Sequence, residues 1–322
     1  MAYNWGLIGT SAIAKTMAAA LRAVNGRIYG VASGRRENAE AFAKACGVSR
    51  AFTGADELLA DPAVDIVYIA TPHSLHYDLL CKAVEHGKHV LCEKSITVND
   101  RQLEDVLARA REKGVVVLEA MTLYHMPLYK KLRGLIASGA IGKIKMVQVS
   151  FGIHRPFDPQ NRLFNKNLAG GALLDIGVYA LAFARYFLET QPNAILSTPF
   201  YAPNGVDNTS GILLKNDRGQ MAVAALAFQA RQPRRGVVAG EKGYIEIDNF
   251  PRAEKAFITY TADGHTEVVA LGETSKALEY EVLDMQDVVS GAAVDQSMDW
   301  TRDVTSLLTA VRSQWGMVYP FE

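Results

Sequence analysis

The residues best suited to chemistry fall into a loop, a strand end and a helix face. The loop is Gly9-Thr10-Ser11-Ala12-Ile13-Ala14, a G-x-S-x-x-A turn between an apolar run and a helix-forming stretch. Such a turn suits the pyrophosphate of a dinucleotide. Gly9 makes the tight bend, Ala14 lets the helix lie against a sheet, and the middle residue has to let the backbone approach the phosphates. Serine stands where glycine is usual. It gives up some closeness and offers a hydroxyl to a phosphate oxygen, while the helix start supplies oriented N–H groups and partial positive charge. A ligand-free strand-to-helix turn would use the same small residues, so this loop alone leaves both readings open. About two dozen residues further on, the second apolar run ends in "VASGRRE", where Asp or Glu would hold a ribose 2′-OH. Ser33, Arg35 and Arg36 stand there instead, a hydroxyl and two guanidiniums that suit a 2′-phosphate. The expected cofactor is therefore NADP(H) rather than NAD(H). The helix face is that of "ALLDIGVYAL", in which Asp175 and Tyr179 lie one helical turn apart. A carboxylate in an apolar helix is costly unless paired, which makes Asp175 the most informative single residue.

The elements that must position these residues alternate regularly over the first 120 residues. Strands are expected at 3–9, 26–33, 64–70, 89–94 and 115–120, with helices between them, the first from about Ala12 to Val24. Asn99 is placed to cap the helix of "DRQLEDVLARAREKG" and Gly114 to stop it. Strands apolar on both faces and separated by helices argue for a parallel sheet covered on both sides, a doubly wound Rossmann-type α/β domain. The character changes after Ala120. A helix over "PLYKKLRGLIASG", the run "KIKMVQVSFGI" and a helix from about Gly171 to Leu188 come first. β-runs joined by "NDRG" and "GEKG" follow, then a helix from about Trp300 to Gln314. That pattern predicts an α+β domain with a large antiparallel sheet. The expected division is 1–120 and 121–322. In "QMAVAALAFQA", Met221, Val223 and Ala225 share one face and Ala222, Ala224 and Leu226 the other. Both are apolar, so one face should cover the core and the other a second copy of the chain, giving a homodimer or homotetramer.

Composition excludes several classes. Lys plus Arg and Asp plus Glu number 34 each, so no net field recruits nucleic acid or an anionic membrane. No apolar run approaches the roughly 20 residues of a membrane span, and "MAYNWGLIG" lacks the pattern of an export signal. Cys46, Cys81 and Cys92 have no metal-ligand spacing and read as thiols of a reducing cytoplasm. No cluster of His, Cys and carboxylates has ligand spacing either, so no metal is expected.

Three further segments sit where a doubly wound sheet binds ligands, beyond the carboxyl ends of its strands or offered from the second domain: "ATPHSLHYD", "CEKS" and "GGALLDIGVY". With "GLIGTSAIA" and "VRSQWGMVYPFE", in this order over nearly the whole chain, they resemble the glucose-fructose oxidoreductase / inositol dehydrogenase (Gfo/Idh/MocA) family. The ending in tyrosine is similar to the dimeric dihydrodiol dehydrogenase and xylose dehydrogenase branch. The resemblance implies an oxidoreductase that moves hydride between a nicotinamide and the CH–OH or C=O carbon of a sugar, polyol or related cyclic compound. It implies that Lys94, Asp175 and Tyr179 form the reaction centre, with Tyr179 as acid and base. A free tyrosine has a pKa of about 10, and a nearby ammonium would lower it while donating to a developing alkoxide. Asp175 would orient a substrate hydroxyl or hold Lys94. By the same resemblance Thr71, Pro72, His76 and Glu93 join the cofactor site, with His73 beside them. Tyr124, His125 and His154 are candidate substrate contacts. Two departures stand out. Ser95 replaces the proline that follows the lysine in the family, where the preceding bond is often cis; before serine a cis bond is costly, so a trans turn is expected. "EAMTLYHMP" lacks the branch's aromatic-and-arginine pattern, so that branch's specificity does not carry over. The alternative on the same fold is a non-catalytic dinucleotide sensor, against which the joint presence of Lys94, Asp175 and Tyr179 argues. An enzyme that keeps its cofactor bound through both half-reactions is also compatible with these residues.

Overall fold

The computed structural model describes residues 3–322. In chain order the first half contains β1 (Asn4–Ile8), α1 (Ala12–Ala23), β2 (Arg27–Ser33), α2 (Arg36–Cys46), β3 (Ala51–Thr53) and α3 (Ala55–Ala60). Then come β4 (Ile66–Ile69), α4 (His76–Glu85), β5 (His89–Glu93), α5 (Asp100–Lys113) and β6 (Val117–Ala120). The second half contains α6 (Thr122–His125), α7 (Pro127–Ala137), β7 (Ile144–His154) and a π-helical turn (Leu173–Gly177) leading into α8 (Val178–Phe187). Seven further strands follow: β8 (Ala194–Tyr201), β9 (Asp207–Lys215), β10 (Met221–Ala227), β11 (Gln229–Gly240), β12 (Gly243–Asp248), β13 (Lys255–Tyr260) and β14 (Thr266–Ala270). Helices α9 (Ala277–Ser290) and α10 (Ser297–Gln314) complete the chain.

Two compact units result, one formed by the residues up to Ala120 with Lys276–Met298, the other by Met121–Ser275 with Asp299–Glu322. This corrects the continuous 121–322 domain expected from the sequence. The chain returns to the first unit because α9 is an amphipathic helix that packs on α1 and buries Ala277, Leu278, Val282 and Met285.

In the first unit all strand pairs are parallel, in the order β3-β2-β1-β4-β5-β6. The strands carry Leu7, Val31, Ile66, Val67, Val90 and Leu91 fully buried, as a sheet covered on both faces requires. Asn99 caps α5 by accepting from the Gln102 N–H at 2.9 Å, and Gly114 ends it in the left-handed conformation. Strand order reverses between β1 and β4, the point at which such sheets open a crevice beyond their carboxyl ends.

The second unit holds an eight-stranded sheet, β14-β13-β12-β11-β7-β10-β9-β8, antiparallel except where β10 runs parallel to β7. Ala222, Ala224 and Leu226 face the core, while Val223 and Ala225 on the other face are exposed. Against the expectation of no span-length apolar run, the segment Lys166–Phe187 is long and apolar enough to cross a membrane by length and composition alone; 78% of its most apolar stretch is buried within the protein, as for a core helix.

Candidate active site

In the first unit the carboxyl ends of β1 and β4 are forced close together. Gly9 sits at φ +107°, its N–H donates to the Ala32 carbonyl at 2.9 Å, and a Cβ there would lie 2.6 Å from the Ala70 carbonyl oxygen. Only glycine fits both the backbone angle and the gap. Ser11 caps α1: its hydroxyl accepts from the Ala14 N–H at 3.4 Å and donates to the Ala70 carbonyl at 3.2 Å. The hydroxyl expected to reach a phosphate therefore serves the turn itself. What remains for an anion is the start of α1 at Ala12 and Ile13, beside Thr10, with no acidic residue in the first turn. At the end of β4, the Thr71 hydroxyl oxygen is buried with no hydrogen-bond partner among the described residues. An orphan hydroxyl beside a cradle that tolerates no side chain fits a bound dinucleotide, whose oxygens would supply the missing partner.

The β2 end has the predicted polarity. Ser33 accepts from the Arg35 N–H at 3.5 Å, and Arg35 and Arg36 are exposed. Arg36 is engaged by Glu40 at 2.8 Å, an i,i+4 pair on the surface of α2. Arg35 makes no ion pair among the described residues, so of the two it is the more available to an anion.

The histidines of "TPHSLH" take a different role from the expected one of lining a nicotinamide. His76 is fully buried, with Nδ1 2.8 Å from the Ser95 carbonyl oxygen and Nε2 2.9 Å from that of Thr71. Burial pushes its imidazole below the usual range, and the two carbonyls pull the other way. His73 Nε2 lies 3.1 Å from the Lys94 carbonyl oxygen. The two rings, edge to face at 5.6 Å, tie the loop after β4, with Pro72 heading its helical turn, to the turn after β5. That turn carries Lys94. Its Lys94–Ser95 bond is cis, against the expected trans. The carbonyls on either side of it are held by His73 and His76, and the Ile96 N–H donates to Glu119 at 3.0 Å, so neighbouring groups fix the turn that proline would otherwise fix. Glu93 accepts from the buried Tyr68 hydroxyl, and burial followed by this carboxylate holds the phenol well above its usual range.

In the second unit Asp175 lies in the π turn that precedes α8, and Tyr179 in the first turn of α8. π turns widen a helix by one residue and recur at functional sites. Gly177 lets the turn lie close against β10, because a Cβ there would meet the Leu226 side chain at 2.7 Å. The buried Asp175 has a partner that spacing did not disclose: the Arg162 guanidinium, half exposed, at 3.4 Å. Nothing in the chain pattern links positions 162 and 175, since the intervening segment is irregular. The start of this turn is clamped by Asp207, fully buried, which accepts from the Leu173 N–H at 2.7 Å. Tyr319 donates to the Gly170 carbonyl at 3.0 Å. Tyr179 packs at 6.1 Å against the Phe151 ring.

Two of the expected substrate contacts are core residues. Tyr124 and His125 are 4% and 3% exposed in α6, and the Tyr124 ring stacks on Tyr186 at 6.0 Å and meets Trp300 at 5.2 Å. Their apolar surroundings leave them little surface for a ligand. His154, at the end of β7, is exposed and lines a cavity.

Residues 3–121 match the model of an "oxidoreductase family, NAD-binding Rossmann fold", and residues 129–246 match the GFO/IDH/MocA C-terminal domain. A trans-1,2-dihydrobenzene-1,2-diol dehydrogenase of Xenopus laevis is 33% identical over 78% of this chain and 76% of its own. A scyllo-inositol 2-dehydrogenase (NADP(+)) of Bacillus subtilis is 29% identical over 91% of each. Among solved structures, a 3-ketoreductase from Actinomadura kijaniata in complex with NADP and TDP-benzene superposes with a TM-score of 0.87 at 26% identity, covering 97% of this chain and 98% of its own.

Proposed function

This chain belongs to the GFO/IDH/MocA oxidoreductase family, and on that footing we propose that it moves hydride between NADP(H) and the CH–OH or C=O carbon of a sugar, polyol or related cyclic compound. The observation that carries the reading is the crevice at the ends of β1 and β4. Gly9 admits no side chain there, and the Thr71 hydroxyl is buried without a partner among the described residues. The pyrophosphate would be held by the turn from Gly9 to Ile13, and the nicotinamide end by Thr71, Pro72 and the turn at Glu93 and Lys94. His76 sets the position of that turn. Ser33 and Arg35, with Arg36 exchanging its Glu40 partner, would hold the 2′-phosphate, which is the basis for preferring NADP(H).

When bound, the nicotinamide accepts or donates a hydride at its ring carbon. The protein's own residues have to manage the proton and the oxygen. In oxidation, Tyr179 as phenolate takes the hydroxyl proton while the C–H bond gives up hydride and the C–O bond becomes a carbonyl. In reduction, Tyr179 returns that proton to the oxygen. In the role that the family resemblance gives it, Lys94 would supply positive charge that favours the phenolate and stabilises the alkoxide. Asp175, paired with Arg162 beside the π turn, would accept hydrogen bonds from substrate hydroxyls. Positioned acid–base groups of this kind contribute about 10²–10⁴-fold, so Tyr179→Phe should lose that much turnover on a panel of sugars and polyols while NADPH binding is kept. NADPH binding with no turnover on any substrate by the wild type would favour the sensor reading instead.

The second unit also supports self-association. One row crosses the exposed face of its sheet through Leu196, Leu213, Val223, Gln148, Val237, Glu246, Phe257 and Val268, in register from strand to strand. Leu196 and Val268 are 70% and 59% exposed, and most of the row is apolar, as a face covered by a second copy would be. A cytoplasmic location, consistent with three free thiols, belongs to the same proposal.

A further inference from the structure

One end of the β7–β11 ladder, in the middle of the second sheet, is built to gather positive charge. In the ladder Gln229 pairs with His154, Gln232 with Gly152 and Arg235 with Ser150, so three-residue steps on β11 twice oppose two-residue steps on β7. Those are two consecutive bulges, which twist a strand and turn its side chains away from regular alternation. Pro233, which lacks an N–H, sits within the second, and its carbonyl accepts from the Ser150 hydroxyl at 2.7 Å. Gly152 is required opposite, because a Cβ would overlap the Ala230 carbonyl oxygen.

The consequence is a cavity of about 850 Å³ lined by Arg231 and Arg234 from β11, His154 and Arg155 at the end of β7, and Asn249. Among the described residues, no carboxylate lines it. The neighbouring arginine is neutralised: Arg235, the next residue in the chain, is bound to Asp248 at 2.8 Å. Among the described residues, Arg155, Arg231 and Arg234 make no ion pair. Three uncompensated guanidiniums around one concavity, in a chain whose formal charge sums to zero, repel one another until an anion enters. The cavity also adjoins the proposed reaction centre within this unit. The Arg234 guanidinium lies 5.2 Å from the centre of the Phe151 ring, and Phe151 packs against Tyr179.

We propose that this cavity binds the phosphoryl group of the substrate, making the substrate a phosphorylated sugar or polyol whose free carbinol reaches Tyr179. This rests on the reading of Tyr179 as acid and base. Several guanidiniums match the oxygens and double charge of a phosphoryl group, whereas a lone carboxylate is satisfied by one bidentate arginine.

The test combines binding and turnover. Isothermal titration of the full chain with inorganic phosphate and with acetate comes first, for wild type, the double variant Arg231→Gln/Arg234→Gln, and Arg235→Gln as a control. Expected is phosphate binding in the wild type with little acetate binding, an affinity at least about tenfold weaker in the double variant, and a control within about twofold. The double variant, changed at exposed positions, should keep its melting temperature. Matched pairs of hexose and hexose 6-phosphate are then compared by nicotinamide absorbance, and the ratio of kcat/KM for phosphorylated over neutral sugar should fall about tenfold in the double variant. Equal binding of phosphate and acetate, or unchanged phosphate affinity in the double variant, overturns the assignment. So does a wild type with no preference for the phosphorylated partner. Failure of the Tyr179 reading shows separately, as a Tyr179→Phe protein that turns over normally, and leaves the phosphate titration as it stands.

Discussion

The buried carboxylate of Asp207 gives a prediction with a magnitude. Burial raises its pKa from the ordinary 3.8 to about 6, with the Leu173 N–H the largest opposing influence and Arg312 a smaller one. Its Oδ1 has no partner among the described residues. In the folded protein Asp207 therefore holds a proton that the unfolded chain has released between those values. The resulting stability is fully present below the unfolded pKa and is lost as pH rises through about 6. At roughly 1.4 kcal/mol per pKa unit the whole loss is about 3 kcal/mol, of which about 2 kcal/mol falls between about pH 4.5 and about pH 7.5. Asp207→Asn cannot titrate and keeps an oxygen for the Leu173 N–H. The variant should gain on the wild type by about 2 kcal/mol over that interval, becoming relatively more stable as pH rises. Urea denaturation of both proteins at a series of pH values, taken as a difference, cancels every other titrating group. A difference that stays flat within about 0.5 kcal/mol, or that falls with pH, would refute the argument that Asp207 is ionised at a cost.

Other perturbations test the remaining parts. Gly9→Ala places a Cβ 2.6 Å from the Ala70 carbonyl oxygen at φ +107°; it should cost about 1–3 kcal/mol and weaken NADPH binding, read by nicotinamide fluorescence. Arg35→Asp should weaken NADPH by about tenfold or more and leave NADH nearly unchanged, since in the proposed site only the 2′-phosphate would meet that side chain; equal losses would assign Arg35 to the shared part of the cofactor. Leu196→Asp with Val223→Asp sets two carboxylates into the exposed apolar row, and light scattering should find a smaller assembly than in the wild type.

The parallel order of the first sheet was legible because its strands are apolar throughout and each is followed by a helix with readable caps, Asn99 and Gly114 among them. The approach of Gly9 to Ala70 was legible in kind, since small residues between strand and helix announce a tight turn. What spacing could not disclose depends on pairings far apart in the chain. The parallel pairing of β10 with β7 looks, within each strand, like any half-buried alternation. Arg162 reaches Asp175 across an irregular segment, and the paired bulges of β11 exist only against Gly152. His76 misled because its type suggested chemistry, while both its ring nitrogens are absorbed by the backbone carbonyls of Thr71 and Ser95. The return of α9 to the first unit was missed because an amphipathic helix declares that it has a buried face and not which partner buries it.

That return bears on synthesis. The helix that covers α1 is made only after all eight strands of the second sheet have been synthesised. Until then the emerging nucleotide-type fold carries α1 uncovered, with Met17 and Leu21 among its apolar residues. Its completion waits on some 150 residues of intervening chain, so early-made and late-made parts must mature in an interleaved order. A fragment ending at Ala120 would therefore lack the helix that packs on α1.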